Sequence, residues 1–270
     1  MIQTLSDTQL AGYFQRIGYA GPRNTDSDTL HALHGLHPQA IPFENIDSLL
    51  GITPRLDLES VYAKLVSKRR GGYCYEHNLL FRAALNTLGF ETTGLAGRVL
   101  WNGESSMPPR THMMLLVETQ KQTWLADVGF GSMTLTAPLV FESGFEQFAP
   151  HESFRIGVVD RGDYQLEVKL QDEWRPVYRF DLEPQFPADY DVANHYVSTH
   201  PGSIFLNHLI VARVAPGERL TLHDRTLTRR GSMEESVELA STTSVRNTLH
   251  ALFDISLPES ADSAIGRIVH

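Results

Sequence analysis

The sequence predicts an α+β protein in which a helical first third is followed by a run of short antiparallel strands. Apolar residues recur at helical spacing up to about residue 90, whereas beyond residue 91 short strand-like stretches alternate with turn-forming residues. The chain has 270 residues, which is enough for two or three packed units, since domains usually contain roughly 100–200 residues. We therefore expect units over residues 1–91, 92–192 and 193–270.

The first unit is predicted to contain helices that begin at capping residues. Ser6 and Ser27 each precede apolar residues at helical spacing, so each is a predicted N-cap. Residues 57–66 repeat the pattern, and residues 73–88 supply a longer helix after a Gly-Gly pair. Cys74 therefore falls in the first turn of that helix.

The second unit is predicted to be an antiparallel sheet or barrel. Its strand-like stretches are rich in β-branched and aromatic residues and are separated by turn signals. These predicted strands cover residues 92–100, 111–117, 124–128, 153–159, 164–169 and 174–180.

The third unit mixes strands and helices. Residues 184–191 contain two prolines and two acids and are predicted to form a linker. Strands are expected near residues 209–214 and 219–222, and a helix over about 244–253. Residues 256–270 carry no motif that assigns them a role.

Composition and charge exclude several classes of function. Hydrophobic residues make up 41% and charged residues 20% of the chain, which is ordinary for a soluble globular protein. The net charge of −9 argues against binding to nucleic acid as the main activity. No apolar stretch approaches the roughly 20 residues that a membrane span needs. We expect neither a nucleic acid nor a membrane as a partner.

Cellular location is predicted from the N-terminus and the cysteine count. Residues 1–7 lack the basic and apolar regions of a signal peptide. The single cysteine excludes an intramolecular disulfide, which suits a reducing compartment. We therefore expect a cytoplasmic protein, as a monomer or a weak homo-oligomer.

Cys74 is the first candidate for chemistry. A helix N-terminus stabilises a thiolate through its N–H groups and dipole, and the basic residues 68–70 lie just upstream. The alternative is a buried, inert cysteine, which is the commoner role of a lone thiol in this kind of protein. The position of Cys74 behind the Gly-Gly turn favours a nucleophile.

A nucleophilic thiol needs a base and a group that orients this base, and His112 and Asp127 fit these roles. If residues 118–121 form the loop of a hairpin, His112 lies directly opposite Asp127. Side chains of opposed residues share a face and lie within reach of an imidazole–carboxylate hydrogen bond. A loop of three residues would place Asp127 on the other face.

Other histidines offer alternatives. His77 follows Cys74 by three residues on the same helix face and is a rival base. His31, His34 and His37 have metal-like spacing, but Gly35 and Pro38 are expected to end their helix, and we expect a solvated helix end rather than a zinc site. His195, His200 and His208 are spaced too loosely for a metal site. The motifs of serine hydrolases, kinases and dinucleotide-binding enzymes do not occur.

Five motifs together resemble the arylamine N-acetyltransferase family of the prokaryotic type. They are Ile-Pro-Phe-Glu-Asn (41–45), Arg-Gly-Gly-Tyr-Cys-Tyr-Glu-His-Asn (70–78), Thr-His-Met (111–113), Trp-Leu-Ala-Asp-Val-Gly-Phe-Gly (124–131) and Ser-Thr-His-Pro-x-Ser-x-Phe (198–205). Two departures are mild, because Tyr75 occupies a position where Phe is usual and Ile46 one where Leu is frequent. Neither departure affects the cysteine, histidine and aspartate.

The resemblance implies a fold and a set of site residues. The fold would be an N-terminal helical bundle, a central antiparallel β-barrel and a C-terminal α/β lid, with the site between the first two. Cys74 would be the nucleophile, His112 the base and Asp127 the residue that orients the base. The acceptor pocket would be lined by Phe43, Phe130 and Phe205. The acetyl and coenzyme A site would be bordered by the loop that contains Val128, Gly129 and Gly131. A structural ion pair would join Arg70 and Glu44.

The same resemblance implies the reaction. Acetyl-CoA would be the cosubstrate, no metal would be required, and an arylamine or arylhydrazine would accept the acetyl group from an acetyl-cysteine intermediate. Backbone N–H groups around Gly129 and Gly131 are candidates for holding the coenzyme A phosphates. A cysteine hydrolase, acting as a protease or amidase, is the alternative, because the same three residues activate sulfur for either reaction. A binding module with an inert cysteine is the third hypothesis.

Overall fold

Helices and strands occupy most of the chain in the computed structural model, which describes residues 3–101, 103, 107–257 and 261–269. The α-helices of this described part are α1 (Asp7–Ile17), α2 (Ser27–Ala40), α3 (Ile46–Leu49), α4 (Leu58–Tyr62), α5 (Cys74–Leu88), α6 (Pro187–Thr199), α7 (Ile204–Asn207), α8 (Thr242–Phe253) and α9 (Asp262–Val269). A π-helical turn over Ala63–Ser67 continues α4. None of these helices is both long enough and apolar enough to cross a bilayer.

The strands of the residues that the structure describes form two antiparallel sheets. They are β1 (Phe43–Glu44), β2 (Glu91–Val99), β3 (Arg110–Glu118), β4 (Thr123–Ala126), β5 (Leu139–Val140), β6 (Gln147–Phe148), β7 (Ser153–Val158), β8 (Tyr164–Leu170), β9 (Glu173–Phe180), β10 (Ile210–Ala215), β11 (Glu218–His223), β12 (Thr226–Arg230) and β13 (Glu234–Glu238). The six strands predicted for the second unit all form, with ends within two residues of the predicted ones.

The first helices show how local side chains set helix ends. Ser6 caps α1 as predicted, because its hydroxyl accepts a hydrogen bond from the backbone of Gln9. Ser27 is not a cap. The carboxylate of Asp26 accepts the bond from Thr29 instead, so Ser27 is already the first residue of α2.

The second helix also continues farther than the sequence predicts. Gly35 and Pro38 do not end α2, which runs to Ala40. A proline in the last turn removes one backbone hydrogen bond and crowds the carbonyl four residues before it, but the fully buried side chains of Leu33 and His37 hold the last two turns against the core. This extension determines where His37 lies.

The eight-stranded sheet is an almost closed barrel with the strand order β5-β4-β3-β2-β9-β8-β7-β6. Its two edge strands meet through one side chain, because the amide of Gln147 donates to and accepts from the backbone of Val140. Apolar side chains that include Leu95, Met114 and Val177 fill the interior. Helix α5 packs outside this sheet against β2 and β3, which brings Cys74 to its edge.

The five-stranded sheet has the order β1-β10-β11-β12-β13. Its first strand comes from the helical region, because Phe43 pairs with Ala212 of β10. Helices α8 and α9 share a core with this sheet. The predicted linker is wrong in its second half, because Pro187 begins α6, a position that proline favours. The division into three units at residues 91 and 192 stays a prediction.

Candidate active site

Cys74 is the first residue of α5, at the helix N-terminus that the sequence predicts. A glycine makes room for this turn, since a Cβ atom on Gly71 would lie 2.1 Å from the carbonyl oxygen of Pro42. The side chain of Glu76 accepts a hydrogen bond from the backbone N–H of Tyr73 at 3.1 Å and so caps the helix. The side chain of Cys74 is nearly shielded from solvent, with 3% exposed.

His112 and Asp127 lie in direct contact, with 2.6 Å between Nε2 of the imidazole and Oδ2 of the carboxylate. The sequence predicted that they oppose each other, and this register is wrong. The ladder pairs Val117 with Trp124, so the hairpin loop covers residues 119–122, one residue later than predicted. The pairing therefore shifts by two residues, which leaves each side chain on its predicted face because a strand repeats every two residues.

The three groups form one electrostatic unit. Burial disfavours a charged imidazole, but the charge and hydrogen bond of Asp127, together with the contact to Cys74, raise the pKa of His112 to about 10. Burial likewise opposes ionisation of Asp127, yet the charge of His112 and its hydrogen bond lower the pKa of this carboxyl. Because Nε2 faces Asp127, Nδ1 is the ring nitrogen that remains for the thiol. The geometry favours a protonated imidazole between a carboxylate and a sulfur.

Further hydrogen bonds among the described residues hold Asp127, and the side chains of Asn78 and His34 were not assigned this role from the sequence. The Asn78 amide donates to Asp127 Oδ1 at 3.1 Å, and the backbone N–H of Gly129 donates to the same atom at 3.0 Å. The backbone N–H of Asp127 donates to Nε2 of His34 at 3.2 Å. The spacing of Asn78, four residues after Cys74 on the same helix face, was a signal that could have identified it.

The rival base, His77, has no free lone pair. Its Nε2 atom lies 3.1 Å from the carbonyl oxygen of Pro42, which only accepts, so this nitrogen carries the proton. Its Nδ1 atom lies 2.9 Å from Nε2 of His37. Burial lowers the pKa of His77 to about 4, so the ring stays neutral and Nδ1 accepts from His37. These contacts count against His77 as the base.

The histidines of α2 correct a second expectation. His34 and His37 are 0% exposed, so the predicted solvated helix end is wrong for both of them. The reason is the extension of α2 to Ala40, which turns these side chains toward α5 and the barrel. His31 is half-buried, and its ring packs edge-on against Trp124 with 4.8 Å between centroids.

The three predicted pocket phenylalanines lie in two places around the site. The rings of Phe43 and Phe205 contact each other, with centroids 6.1 Å apart. The ring of Phe130 packs edge-on against His112 at 5.0 Å. Phe43 is buried, whereas the other two side chains are partly exposed, as a surface that meets a ligand would be. Their role as the acceptor pocket stays a prediction.

The loop over 128–131 is built into the site by its glycines. A Cβ atom on Gly129 would lie 2.8 Å from Cβ of His77 and 3.0 Å from Cα of Cys74, so only glycine fits. The N–H of Gly129 donates to Asp127, and that of Gly131 donates to Thr134 Oγ1 at 2.7 Å. These two N–H groups are therefore occupied and do not form a phosphate cradle in this structure. The loop as a border of the acetyl site stays a prediction.

The predicted ion pair between Arg70 and Glu44 is present, with 2.7 Å between Nη2 and Oε1. It belongs to a larger network, since Asp47 contacts Arg70 at 3.0 Å and Lys64 at 2.7 Å. Lys64 also contacts the helix-capping Glu76 at 2.8 Å. Burial disfavours the charged form of Lys64, but the surrounding carboxylates raise its pKa. The network ties the turn before Cys74 to the segment that carries Phe43.

Comparisons with known proteins identify the family. A family model described as N-acetyltransferase matches residues 26–262. The chain is 42% identical over 259 residues to the arylamine N-acetyltransferase of Mycolicibacterium smegmatis, and the matched region covers 93% of this chain and 94% of that protein. This chain belongs to the arylamine N-acetyltransferase family. It is also 44% identical over 211 residues to the arylamine N-acetyltransferase of Escherichia coli (strain K12), covering 78% of this chain and 75% of that one.

Solved arylamine N-acetyltransferase structures share the fold. The M. smegmatis structure superposes with a TM-score of 0.93 at 39% identity and covers 96% of this chain and 98% of that one. The structure of the Mycobacterium marinum arylamine N-acetyltransferase in complex with CoA superposes with a TM-score of 0.92 at 35% identity, covering 97% and 100%. The predicted α+β fold of helices and a β-barrel is confirmed.

One group of side chains in this chain has the ligand types of a metal site. Among the described residues, the ligand atoms of His208, His223 and Asp224 lie within 4.8 Å of one another. The Asp224 carboxylate already accepts hydrogen bonds from His208 Nδ1 at 2.7 Å and from the backbone of Leu209 at 2.9 Å. These bonds explain its position as the cap of a turn, and the group shares no residue with the Cys74 site.

Proposed function

We propose that this chain transfers the acetyl group of acetyl-CoA to the nitrogen of an arylamine or arylhydrazine, in two steps that share an acetyl-Cys74 intermediate. The observation that carries the proposal is the buried contact of Asp127 with His112, an imidazole that also contacts Cys74, the only thiol of the chain. Membership of the arylamine N-acetyltransferase family supports the choice of substrates.

In the first step, sulfur attacks the thioester carbonyl of acetyl-CoA. The resting site holds the proton on His112, because Asp127 stabilises the imidazolium. The new carbon–sulfur bond forms as the bond to the coenzyme A sulfur breaks, and the leaving thiolate takes the proton from His112. One thioester replaces another, so the step requires little driving force. The M. marinum relative in complex with CoA supports coenzyme A as the carrier.

In the second step, the amine nitrogen attacks the carbonyl of acetyl-Cys74. His112 is now neutral and accepts the proton that the nitrogen loses. The carbon–sulfur bond breaks, and the thiolate of Cys74 is restored beside the imidazolium. The product amide is more stable than the thioester, which drives the reaction forward.

The surroundings of the sulfur favour an aromatic acceptor over water. Phe43, Phe130 and Phe205 offer ring faces and edges, and contacts between aromatic rings contribute about 0.5–1.5 kcal/mol each beyond the area that they bury. The low exposure of Cys74 protects the intermediate from hydrolysis. These features support a transferase rather than the hydrolase that the same three residues would also allow.

We also propose that the enzyme acts in the cytoplasm, as a monomer or a weak homo-oligomer. A catalytic thiol must stay reduced, and a reducing compartment keeps it so. The net charge of −9 supports small molecules rather than nucleic acid as partners.

Intact-mass spectrometry separates the three hypotheses. The protein is incubated with acetyl-CoA in the absence of any amine, and Cys74→Ala serves as the control. A transferase gains one acetyl group that the variant lacks and that an added arylamine removes as the N-acetyl product. A hydrolase releases acetate and coenzyme A without accumulating the acetylated form, and a binding module does neither. Either of the last two results would overturn the proposal.

A further inference from the structure

Three buried side chains, one each from α1, α2 and α5, form a hydrogen-bonded chain, and the proposed mechanism uses none of them. The hydroxyl of Tyr13 lies 2.8 Å from Nδ1 of His37, whose Nε2 lies 2.9 Å from Nδ1 of His77. The chain ends where Nε2 of His77 lies 3.1 Å from the carbonyl oxygen of Pro42. Each of the three side chains is at most 1% exposed.

The carbonyl at the end sets the direction of every bond. The oxygen of Pro42 only accepts, so Nε2 of His77 donates, and the neutral ring then has a lone pair on Nδ1. Nε2 of His37 must therefore donate to His77, and Nδ1 of His37 must accept from the hydroxyl of Tyr13. Burial lowers the pKa of both histidines and raises that of Tyr13, so all three groups stay uncharged.

Such a chain is not needed for stability alone. Apolar side chains of similar volume would fill the same space with no donors or acceptors to satisfy, and such replacements are often neutral or stabilising. What an apolar core cannot do is hold one carbonyl oxygen at a fixed place through a directed bond. The hydrogen bond from His77 to the carbonyl oxygen of Pro42 therefore needs a reason other than stability.

The Pro42 carbonyl lies between the nucleophile turn and the aromatic residues. The N–H of Gly72 donates to it at 3.4 Å. The next residue is Phe43, whose ring is stacked on His77 with 12° between the ring planes and 6.4 Å between centroids. Phe43 in turn contacts Phe205. A shift of the Pro42 carbonyl would move the Phe43 ring relative to Cys74.

We propose that the chain of Tyr13, His37 and His77 positions the Pro42–Phe43 segment for the aromatic acceptor, so that His37 and His77 are positioning residues of the amine step. This inference rests on the proposed function and assigns an additional task to residues outside the Cys74, His112 and Asp127 set. The chain acts on how the amine is held and leaves the attack of Cys74 on acetyl-CoA unchanged.

The first test is independent of activity. Long-range ¹H–¹⁵N NMR spectra of histidine-labelled protein at neutral pH report which ring nitrogen carries the proton. The proposal requires His37 and His77 to be neutral and protonated on Nε2, with resonances assigned through His37→Gln and His77→Gln. Protonation on Nδ1, or a charged ring, in either residue would overturn the direction of the chain.

The second test compares two variants of one residue. His77→Gln keeps one acceptor and one donor, whereas His77→Leu keeps only the volume. We expect His77→Leu to raise the amine concentration for half-maximal rate about tenfold, since a small misplacement of a reactant is costly. The rate constant for coenzyme A release without amine should stay within about twofold. His77→Gln should restore the amine dependence to within about threefold of the original protein.

Other outcomes overturn the proposal. It fails if His77→Leu leaves the amine dependence unchanged, if this variant slows coenzyme A release as much as the amine step, or if His77→Gln is as defective as His77→Leu. If His77→Leu does not fold, Tyr13→Phe removes only the outermost donor. It should raise the half-maximal amine concentration about threefold, and an unchanged value would overturn the proposal. If the unaltered protein takes no acetyl group, the proposed function fails. The NMR result still decides whether the hydrogen bonds of Tyr13, His37 and His77 run in the inferred direction.

Discussion

Asp127→Asn tests the central contact of the site while leaving its shape intact. The amide oxygen of asparagine can still accept the hydrogen bonds from Asn78 and Gly129, which are 3.1 and 3.0 Å long. Its NH₂ group must then face Nε2 of His112, where the carboxylate oxygen lay at 2.6 Å. Nε2 becomes an acceptor, so the proton of the neutral ring moves to Nδ1, the nitrogen that Asp127 leaves available for the thiol.

The size of the effect follows from this exchange of tautomers. An imidazole with its proton on Nδ1 cannot accept the thiol proton, and the imidazolium loses its counter-charge. The equivalent change in a serine protease triad lowers kcat about 10⁴-fold. The same loss here would correspond to about 5.5 kcal/mol of transition-state stabilisation, at roughly 1.4 kcal/mol per factor of ten.

Stopped-flow measurement of coenzyme A release, with acetyl-CoA and no amine, isolates the step that depends on the thiolate. Circular dichroism and urea unfolding verify that Asp127→Asn is folded. Asp224→Asn is the matched control, because Asp224 makes a similar bond to His208 Nδ1 at 2.7 Å but is partly exposed and contacts none of the predicted catalytic residues. A fall of less than about tenfold in folded Asp127→Asn would refute the assigned roles.

Three further predictions concern pH, an ion pair and a glycine. Burial lowers the pKa values of His34 and His77 to about 3 and 4, so the unfolded chain binds more protons from the ordinary histidine pKa of 6.5 down to these values. The free energy of unfolding should fall as the pH falls below 6.5, by up to about 1.4 kcal/mol per pH unit per histidine. In urea titrations at several pH values, this free energy should depend less steeply on pH in His77→Gln than in the original protein. Equal slopes would contradict the burial argument. Glu152→Gln should lower the free energy of unfolding by about 3–5 kcal/mol, because it leaves the buried charge of Arg219 without its counter-charge. The Arg219 side chain is 3% exposed and contacts Glu152 at 2.6 Å. A loss below about 1 kcal/mol in chemical denaturation would contradict this. Gly129→Ala should slow acetylation of Cys74, because the added Cβ atom would lie 3.0 Å from Cα of Cys74. Intact mass followed over time measures this rate. An unchanged rate would mean that the loop moves freely.

The sequence could predict the parts of the site that depend on local patterns. The hydroxyl of Ser6 caps α1, and Cys74 begins α5 behind the glycines, because caps and turns are set by neighbouring residues. His112 and Asp127 share a face because side chains alternate between the two faces of a strand, so a register shift of two residues leaves the face unchanged. The register itself was wrong, since a loop of four residues fits the sequence at two positions. Contacts at the observed position, which include the bond from Thr119 N–H to Gln122 O, distinguish them.

Features that depend on distant contacts could not be predicted. Nothing local indicates that His34 and His37 are buried, because their burial follows from the packing of α2 against α5 and the barrel. Strands β12 and β13 were missed because they lack an apolar alternation. Charge pairs across the ladder accompany their pairing instead, such as the 2.6 Å contact of Arg230 with Glu234.

The pairing of Phe43 with Ala212 has a consequence for the order of assembly during translation. The thiol, the imidazole and the carboxylate are all synthesised by residue 127, but β10, the strand that pairs with Phe43, is synthesised more than 80 residues later. The site is therefore complete only after two later strands have been synthesised, namely β9, whose Tyr178 ring packs on His112 with 5.0 Å between centroids, and β10, which pairs with Phe43. If Phe43 contacts the acceptor as proposed, this contact depends on a sheet whose other strands come from the C-terminal part of the chain.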